Sequence, residues 1–421
     1  MKIYIETYGC SSNQNDSQIM VGILKEKGHQ IVESENADII IINTCTVKHT
    51  TEQKIRHKIS SFSNKKLIVA GCMAETQPDL IRSLAPNASL LGTNKIHHID
   101  DVVHDLINGK RTEFLGKQKI EKPLLTKQRT NSVIDIVEIE SGCNYACSFC
   151  ETKLAKGPTF SYSPENIINQ MQKMRNQGVR EFWITGQDVA GYNKDNVNLP
   201  GLIEKIISNV KGVYFLRIGM HHPSSIMPIL KELIDVYKNE RVFKFLHLPV
   251  QSGSENILKK MNRSGTAEEY KKIISAFRKE IPEITIWTDV IVGFPGETED
   301  DFKETLSLIK ETKPDFTNIS SFSVRKNTKA AKMPQVKSEI KKERTRLLSE
   351  LCNKISIERN ERWIDWSGLC IIDEFNSVKQ NWIGRNHAYK PITINSNLKF
   401  GDFCSIKIVG CKATHLKGVA G

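Results

Sequence analysis

Nothing in this 421-residue chain is apolar for long enough to cross a membrane. Its longest apolar runs, such as Ile39–Ile42, stop far short of the roughly 20 residues that a spanning helix needs. The first residues, MKIYIETYGC, lack the charged-then-apolar layout of a secretory leader and alternate like a strand. A cytoplasmic protein without a membrane partner is the expectation. Acidic residues run short as well: 48 Asp and Glu face 60 Lys and Arg, a net charge of +12 that favours an anionic partner, nucleic acid above all. With 39% apolar and 26% charged residues the chain is neither disordered nor fibrous, and its length suits two or three domains. Ten cysteines in a reducing compartment point to metal binding or catalysis, because disulfides are rare there.

Residues 1–112 alternate strand and helix patterns. Ile3–Thr7 reads as a strand, Asp16–Lys27 as a helix and Asp38–Asn43 as a strand buried on both faces. Thr51–Phe62 reads as a helix and Leu67–Ala70 as a second buried strand. The alternation implies a doubly wound parallel sheet. Gly116–Thr130, polar and Lys-rich, reads as a linker. Over 129–358 a strand-then-helix unit recurs about six times, beginning with strand Ile134–Ile139 and including helix Ser225–Tyr237 and strand Thr285–Val292. Six such units suit a partial TIM (β/α)6 barrel, with its chemistry on the loops after the strands. The tail, 359–421, changes to short β-type runs between Asn, Gly and Ser turns, as in a small antiparallel β-barrel. Its cations Lys379, Arg385, Lys390, Lys399, Lys407, Lys412 and Lys417 are interleaved with Trp382, His387, Tyr389 and Phe400, a pattern suited to RNA.

Cys143, Cys147 and Cys150 stand in a CxxxCxxC loop directly after the first barrel strand, with no fourth cysteine nearby. Three thiolates select an iron–sulfur cluster or zinc. A structural zinc site is closed and four-coordinate, so the absent ligand counts against one. In a catalytic cubane it leaves one iron open to chelate a substrate. The loop and its setting resemble the radical S-adenosylmethionine (SAM) superfamily. That resemblance implies a [4Fe–4S] cluster that binds SAM and cleaves it to a 5′-deoxyadenosyl radical. It further places Phe149 against the adenine, Gly186 and Gln187 of the Thr185–Asp188 turn near the SAM amino group, and Gly293 of the Ile291–Glu297 turn near adenine. Arg263 corresponds to a position near the SAM carboxylate. His247 and Gln251, at the end of the fourth strand, should face the cavity; a core histidine is the alternative reading. His221 and His222 end the third strand as caps.

Cys10, Cys45 and Cys72 each follow a buried strand directly, in IETYGC, IINTC and VAGC. The carboxyl ends of parallel strands line one crevice, so three residues 35 and 27 positions apart can converge there. For any one of them a packed small hydrophobe is the simpler reading; three at equivalent points suggest a second three-thiolate cluster. Cys352, Cys370, Cys404 and Cys411 lack ligand spacing and read as packing residues.

Two such trios with a basic β-barrel tail resemble the methylthiotransferases, supported by YGCSSNQNDS, NTCTV, AGCM, GQDV, LPVQSGS and the Met261–Tyr270 segment. The resemblance implies an N-terminal methylthiotransferase domain (1–112), a radical SAM core (129–358) and an RNA-binding TRAM domain (359–421). It also implies two [4Fe–4S] clusters, SAM methylation of an auxiliary sulfur, and radical insertion of the methylsulfanyl group at a carbon–hydrogen bond. A tRNA anticodon loop modified at adenosine-37 and an electron donor such as ferredoxin or flavodoxin are the implied partners. The text after Cys150, Glu-Thr-Lys-Leu-Ala-Lys-Gly, is nearest the archaeal and eukaryotic threonylcarbamoyladenosine type. It departs from that type at Glu151 and Lys156, which bears on substrate contacts. Isopentenyladenosine, a ribosomal-protein substrate and a non-catalytic RNA-binding iron–sulfur protein are the alternatives.

Overall fold

The computed structural model describes residues 1–46 and 49–421. Six parallel strands form the first sheet, in the order Gln30–Ile31, Lys2–Thr7, Ile39–Thr44, Leu67–Gly71, Ser89–Leu91, Glu113–Phe114. The Ile39–Ile42 run is apolar throughout because each face of its strand meets a different core. Ile39 and Ile41 pack with Ile19, Met20 and Val102, whereas Ile40 and Ile42 pack with Ile55 and Ile59. Register pairs Thr7 with Asn43 and Thr44 with Gly71, so the three central strands end level. The first helix begins at Ser11, five residues before the Asp16 start that its sequence suggests. Its first turns carry Ser12, Asn13, Asn15 and Asp16, all buried. Polar side chains conceal this helix's first turn in the sequence, because their partners lie on other segments.

The barrel consists of two three-stranded parallel sheets. Ile134–Glu138, Glu181–Thr185 and Phe215–Ile218 form one; Phe245–His247, Thr285–Val292 and Phe316–Ser321 form the other. Isolated bridges from Leu216 to Val242 and from Met220 to His247 join them into one six-stranded wall. Along Thr285–Val292, residues Trp287, Asp289 and Ile291 are half-buried while their neighbours are fully buried. Pro228 divides the expected helix Ser225–Tyr237 into Pro223–Ile226, a 3₁₀ turn Met227–Ile229 and Leu230–Lys238.

Gly116–Thr130 is more than a linker. Lys122 and Pro123 are buried within it, and Lys127 forms an ion pair with Asp135 at 2.7 Å. The tail is a closed five-stranded barrel that includes strands Asn381–Arg385 and Leu416–Ala420, which the sequence pattern missed. Four residues expected on its RNA face lie elsewhere. Lys390 is buried against Asp315 at 2.8 Å, and Arg385 against Asp373 at 3.0 Å. Tyr389 is buried on Phe243 and Phe245, and His387 lies by Trp363 and pairs with Glu283 at 2.7 Å. Alternating cation and aromatic letters cannot show which side of a strand meets the neighbouring domain. Among the described residues no helix is long and apolar enough to cross a membrane.

Candidate active site

Level strand ends bring Cys10, Cys45 and Cys72 to one edge of the first sheet. Asn13 ties them together: its Oδ1 lies 3.8 Å from both Cys10 Sγ and Cys72 Sγ. Its amide nitrogen donates to the carbonyls of Tyr8 (3.0 Å) and Thr44 (2.6 Å), which holds that orientation. Cys45 completes the group, since a Cβ at Gly9 would fall 2.8 Å from Cys45 Sγ. Gly9 has φ +113° and Gly71 has φ +90°, a region that side chains disfavour, so both glycines let the chain turn tightly next to a thiol. Cys10 is exposed, whereas Cys45 and Cys72 are buried, and burial pushes the Cys72 thiol up. Val47 of the NTCTV segment lies outside the described residues.

On the barrel side, Cys143, Cys147 and Cys150 are all free and half-buried. The loop is drawn in by the Cys150 N–H to Cys147 carbonyl bond at 3.1 Å. Thr152 N–H donates to Cys150 Sγ at 3.4 Å, and Arg263 Nη1 lies 3.9 Å from Cys147 Sγ. Burial raises the Cys143 thiol to about 12 and also raises Cys147, which the Arg263 guanidinium opposes. Thiols held protonated by burial would act as ligands as thiolates, metal binding releasing their protons to solvent. Among the described residues no three His, Cys, Asp or Glu side chains are gathered around a single metal-ion position. Three free thiols edged by N–H and guanidinium donors, with one partly solvent-facing side, fit an iron–sulfur cubane.

The segments that carry the two trios meet at a short polar seam. Gln187 bridges it, accepting from Gly142 N–H at 2.7 Å and donating to Ser12 Oγ at 3.2 Å. Ser11 Oγ lies 2.7 Å from Thr185 Oγ1. Gly186 leaves room for Glu140, whose Cγ would sit 2.6 Å from an added Cβ. Behind the cysteine loop, Asp188 accepts from Ser225 Oγ (2.5 Å) and His222 N–H (2.8 Å). Tyr145 hydroxyl meets Ser225 Oγ at 2.7 Å, and its ring stacks on His222 with centroids 3.7 Å apart. Burial lifts Asp188 to about 6 against those hydrogen bonds.

Comparison with known proteins accounts for both halves of this seam. Residues 137–309 match the Radical SAM superfamily, and residues 2–92 match the family described as Uncharacterized protein family UPF0004. A probable threonylcarbamoyladenosine tRNA methylthiotransferase of Pyrococcus horikoshii is 38% identical, over 99% of each chain. The human threonylcarbamoyladenosine tRNA methylthiotransferase is 34% identical, over 99% of this chain and 73% of its own. This chain belongs to the threonylcarbamoyladenosine tRNA methylthiotransferase family. Among solved structures, a radical SAM methyltransferase of Kitasatospora setae shares the fold, with a TM-score of 0.59 at 12% identity, covering 78% of this chain and 76% of that one.

The remaining family-derived positions are less uniform. Phe149 packs edge-on to Phe294 at 6.4 Å beside the cysteine loop. His247 Nε2 lies 2.7 Å from Asp289 Oδ2 in the half-open lumen. Gln251 has φ +77° and hydrogen-bonds the Asp289 carbonyl through its N–H at 2.8 Å. Gly293 faces Lys341, whose Cγ lies 2.2 Å from where a Cβ would stand. That glycine accommodates the helix Ser338–Glu361. Glu151 and Lys156, read from sequence as bearing on substrate contacts, are both buried between domains. Sequence reasoning passed over Asn13 and Tyr145, although both lie within or beside the quoted cysteine motifs.

Proposed function

We propose that this methylthiotransferase converts N6-threonylcarbamoyladenosine-37 of tRNA to its 2-methylthio derivative, working from the cytoplasm with a single-electron donor such as ferredoxin or flavodoxin. The observation that supports this reading is the seam of Ser11, Ser12, Thr185, Gln187 and Gly142, which joins the helix that follows Cys10 to the loop that precedes Cys143. Residues 1–112 would carry the auxiliary trio, 129–358 the radical trio and 359–421 the RNA-binding barrel. Each trio would ligate a [4Fe–4S] cluster with one iron open. When bound, SAM and the two clusters supply the radical, the methyl group and the sulfur.

The chain's own residues bind and orient. Arg263, beside Cys147, would meet the SAM carboxylate, and Gln187 holds the cysteine loop by the Gly142 N–H. A nucleobase edge must enter from the side that Cys10 leaves exposed. The C-terminal barrel presents Trp382 in contact with both Phe375 and Phe400, with centroids 4.8 and 5.2 Å apart. Phe375 and Phe400 are exposed, as a base-stacking surface requires.

Anaerobic reconstitution tests the reading. Roughly eight irons per chain are expected, four for each cubane. SAM cleavage on reduction should accompany methylthiolation of threonylcarbamoyladenosine-containing tRNA, followed by nucleoside mass spectrometry. Cys147→Ala should abolish SAM cleavage. Cys10→Ala should retain cleavage and lose product; methylthiolated product from Cys10→Ala would refute the auxiliary assignment.

A further inference from the structure

Four charged side chains meet behind the two thiol trios, each no more than 1% exposed. Lys122 Nζ lies 2.5 Å from Asp16 Oδ1 and 2.9 Å from Glu138 Oε2, and Lys156 Nζ lies 3.0 Å from Glu138 Oε1. Two cations and two anions balance. Further bonds saturate the group: Thr93 Oγ1 donates to Asp16 at 3.0 Å, and Tyr162 hydroxyl donates to Glu138 at 3.3 Å. Asn94 Nδ2 donates to the Lys156 carbonyl at 3.2 Å.

The origins of these residues give the group its meaning. Asp16 stands six residues after Cys10 on the helix Ser11–Glu26, and Lys156 six residues after Cys150 at the end of Thr152–Lys156. Glu138 lies five residues before Cys143, and Lys122 comes from the segment that joins the two domains. The short helix that starts at Cys72 packs directly on Thr152–Lys156. Every arm of the network therefore leads within a few residues to a thiol or to the joining segment. Apolar residues of similar volume would hold two domains together at least as firmly, but without a preferred register. Charges at hydrogen-bonding distance require one register.

We propose that Asp16, Lys122, Glu138 and Lys156 are positioning residues that set the separation and orientation of the radical-side thiols relative to the auxiliary-side thiols. This rests on the reading that each trio holds a cluster. The network touches neither substrate nor SAM, and it acts through the two segments that carry the cysteines. Its loss uncouples SAM cleavage from sulfur insertion, because the radical still forms but meets a misplaced sulfur.

Two variants test it, Lys156→Met and the near-isosteric Glu138→Gln, with Lys156→Arg as the conservative rescue. In reconstituted full-length protein, iron content should match wild type while methylthiolated product per 5′-deoxyadenosine falls about tenfold or more. Magnetic coupling between the two reduced clusters, read by electron paramagnetic resonance, should weaken, and Lys156→Arg should recover most of both. In cluster-free protein, trypsin should cut the Lys-rich 116–130 segment at least several-fold faster in Lys156→Met than in wild type. An unchanged product ratio and coupling in both variants, or unchanged proteolysis, overturns the proposal. Wild-type protein that binds only about four irons would instead overturn the two-cluster reading beneath it.

Discussion

At the scale of single residues the site depends on side chains that never meet substrate. Gly71 shows why: a Cβ there would stand 2.4 Å from Asn43 Oδ1 and 2.6 Å from the Thr44 carbonyl, at φ +90°. Gly71→Ala must shift the strand end that carries Cys72. Expected outcomes are a loss of more than about 1 kcal/mol in stability and of roughly four irons per chain, read by urea unfolding and iron assay. Asp188 makes a pH prediction. Its folded-state carboxyl is raised to about 6, above its ordinary range, so the folded protein holds a proton that the unfolded chain releases. Stability from this group is complete below the unfolded value and falls as pH rises through about 6, by about 3 kcal/mol in all. Asp188→Asn should flatten that part of the thermal-unfolding profile between pH 4 and 6; an unchanged slope would place its origin elsewhere.

Elements explain why some of the fold was legible and some was not. Thr285–Val292 was readable to the residue, because every position but Asp289 is β-branched or aromatic. Helix Glu299–Thr312 starts at a capping box formed by Thr298 and Asp301. Thr298→Ala should therefore cost about 1 kcal/mol in urea unfolding. It should leave iron content unchanged, because the cap lies at the far end of the Gly293–Glu297 turn. The first turn of the helix Ser11–Glu26, before the Asp16 start read from sequence, resisted reading for the opposite reason. Its polar first turn is buried, and the groups that satisfy it (Thr185, Gln187, Lys122 and Thr93) are separated from it by about 80 to 175 residues of chain. No local pattern encodes partners so remote.

For the whole molecule, the C-terminal barrel, proposed above as an RNA platform, also packs as the floor of the radical SAM barrel. Tyr389 hydroxyl donates to Glu181 Oε1 at 2.9 Å, and Asp315 accepts from Lys390 and Arg359 across the same boundary. Removing residues 359–421 should thus destabilise the barrel as well as weaken tRNA binding, making truncation a poor probe of RNA contact. Tyr389→Ala should cost roughly 3–5 kcal/mol, read as a lowered thermal midpoint. Phe400→Ala should leave that midpoint within a degree or two while weakening tRNA binding by roughly 1–3 kcal/mol. Equal tRNA affinity in the two proteins would remove Phe400 from the binding surface.

Sequence alone determined the chemistry and the class of fold, because thiol spacing and hydrophobic period are local quantities. CxxxCxxC brings three sulfurs together within eight residues, and strand-end cysteines follow from the βα alternation. Only tertiary structure decided that the segments carrying the two thiol groups meet, and which cations are committed to interior ion pairs. Those outcomes depend on side chains distant in sequence meeting in a low-dielectric interface, where a charge persists only beside its partner. Lys156 and Lys390 look like surface lysines in the chain, and packing makes both of them interior struts.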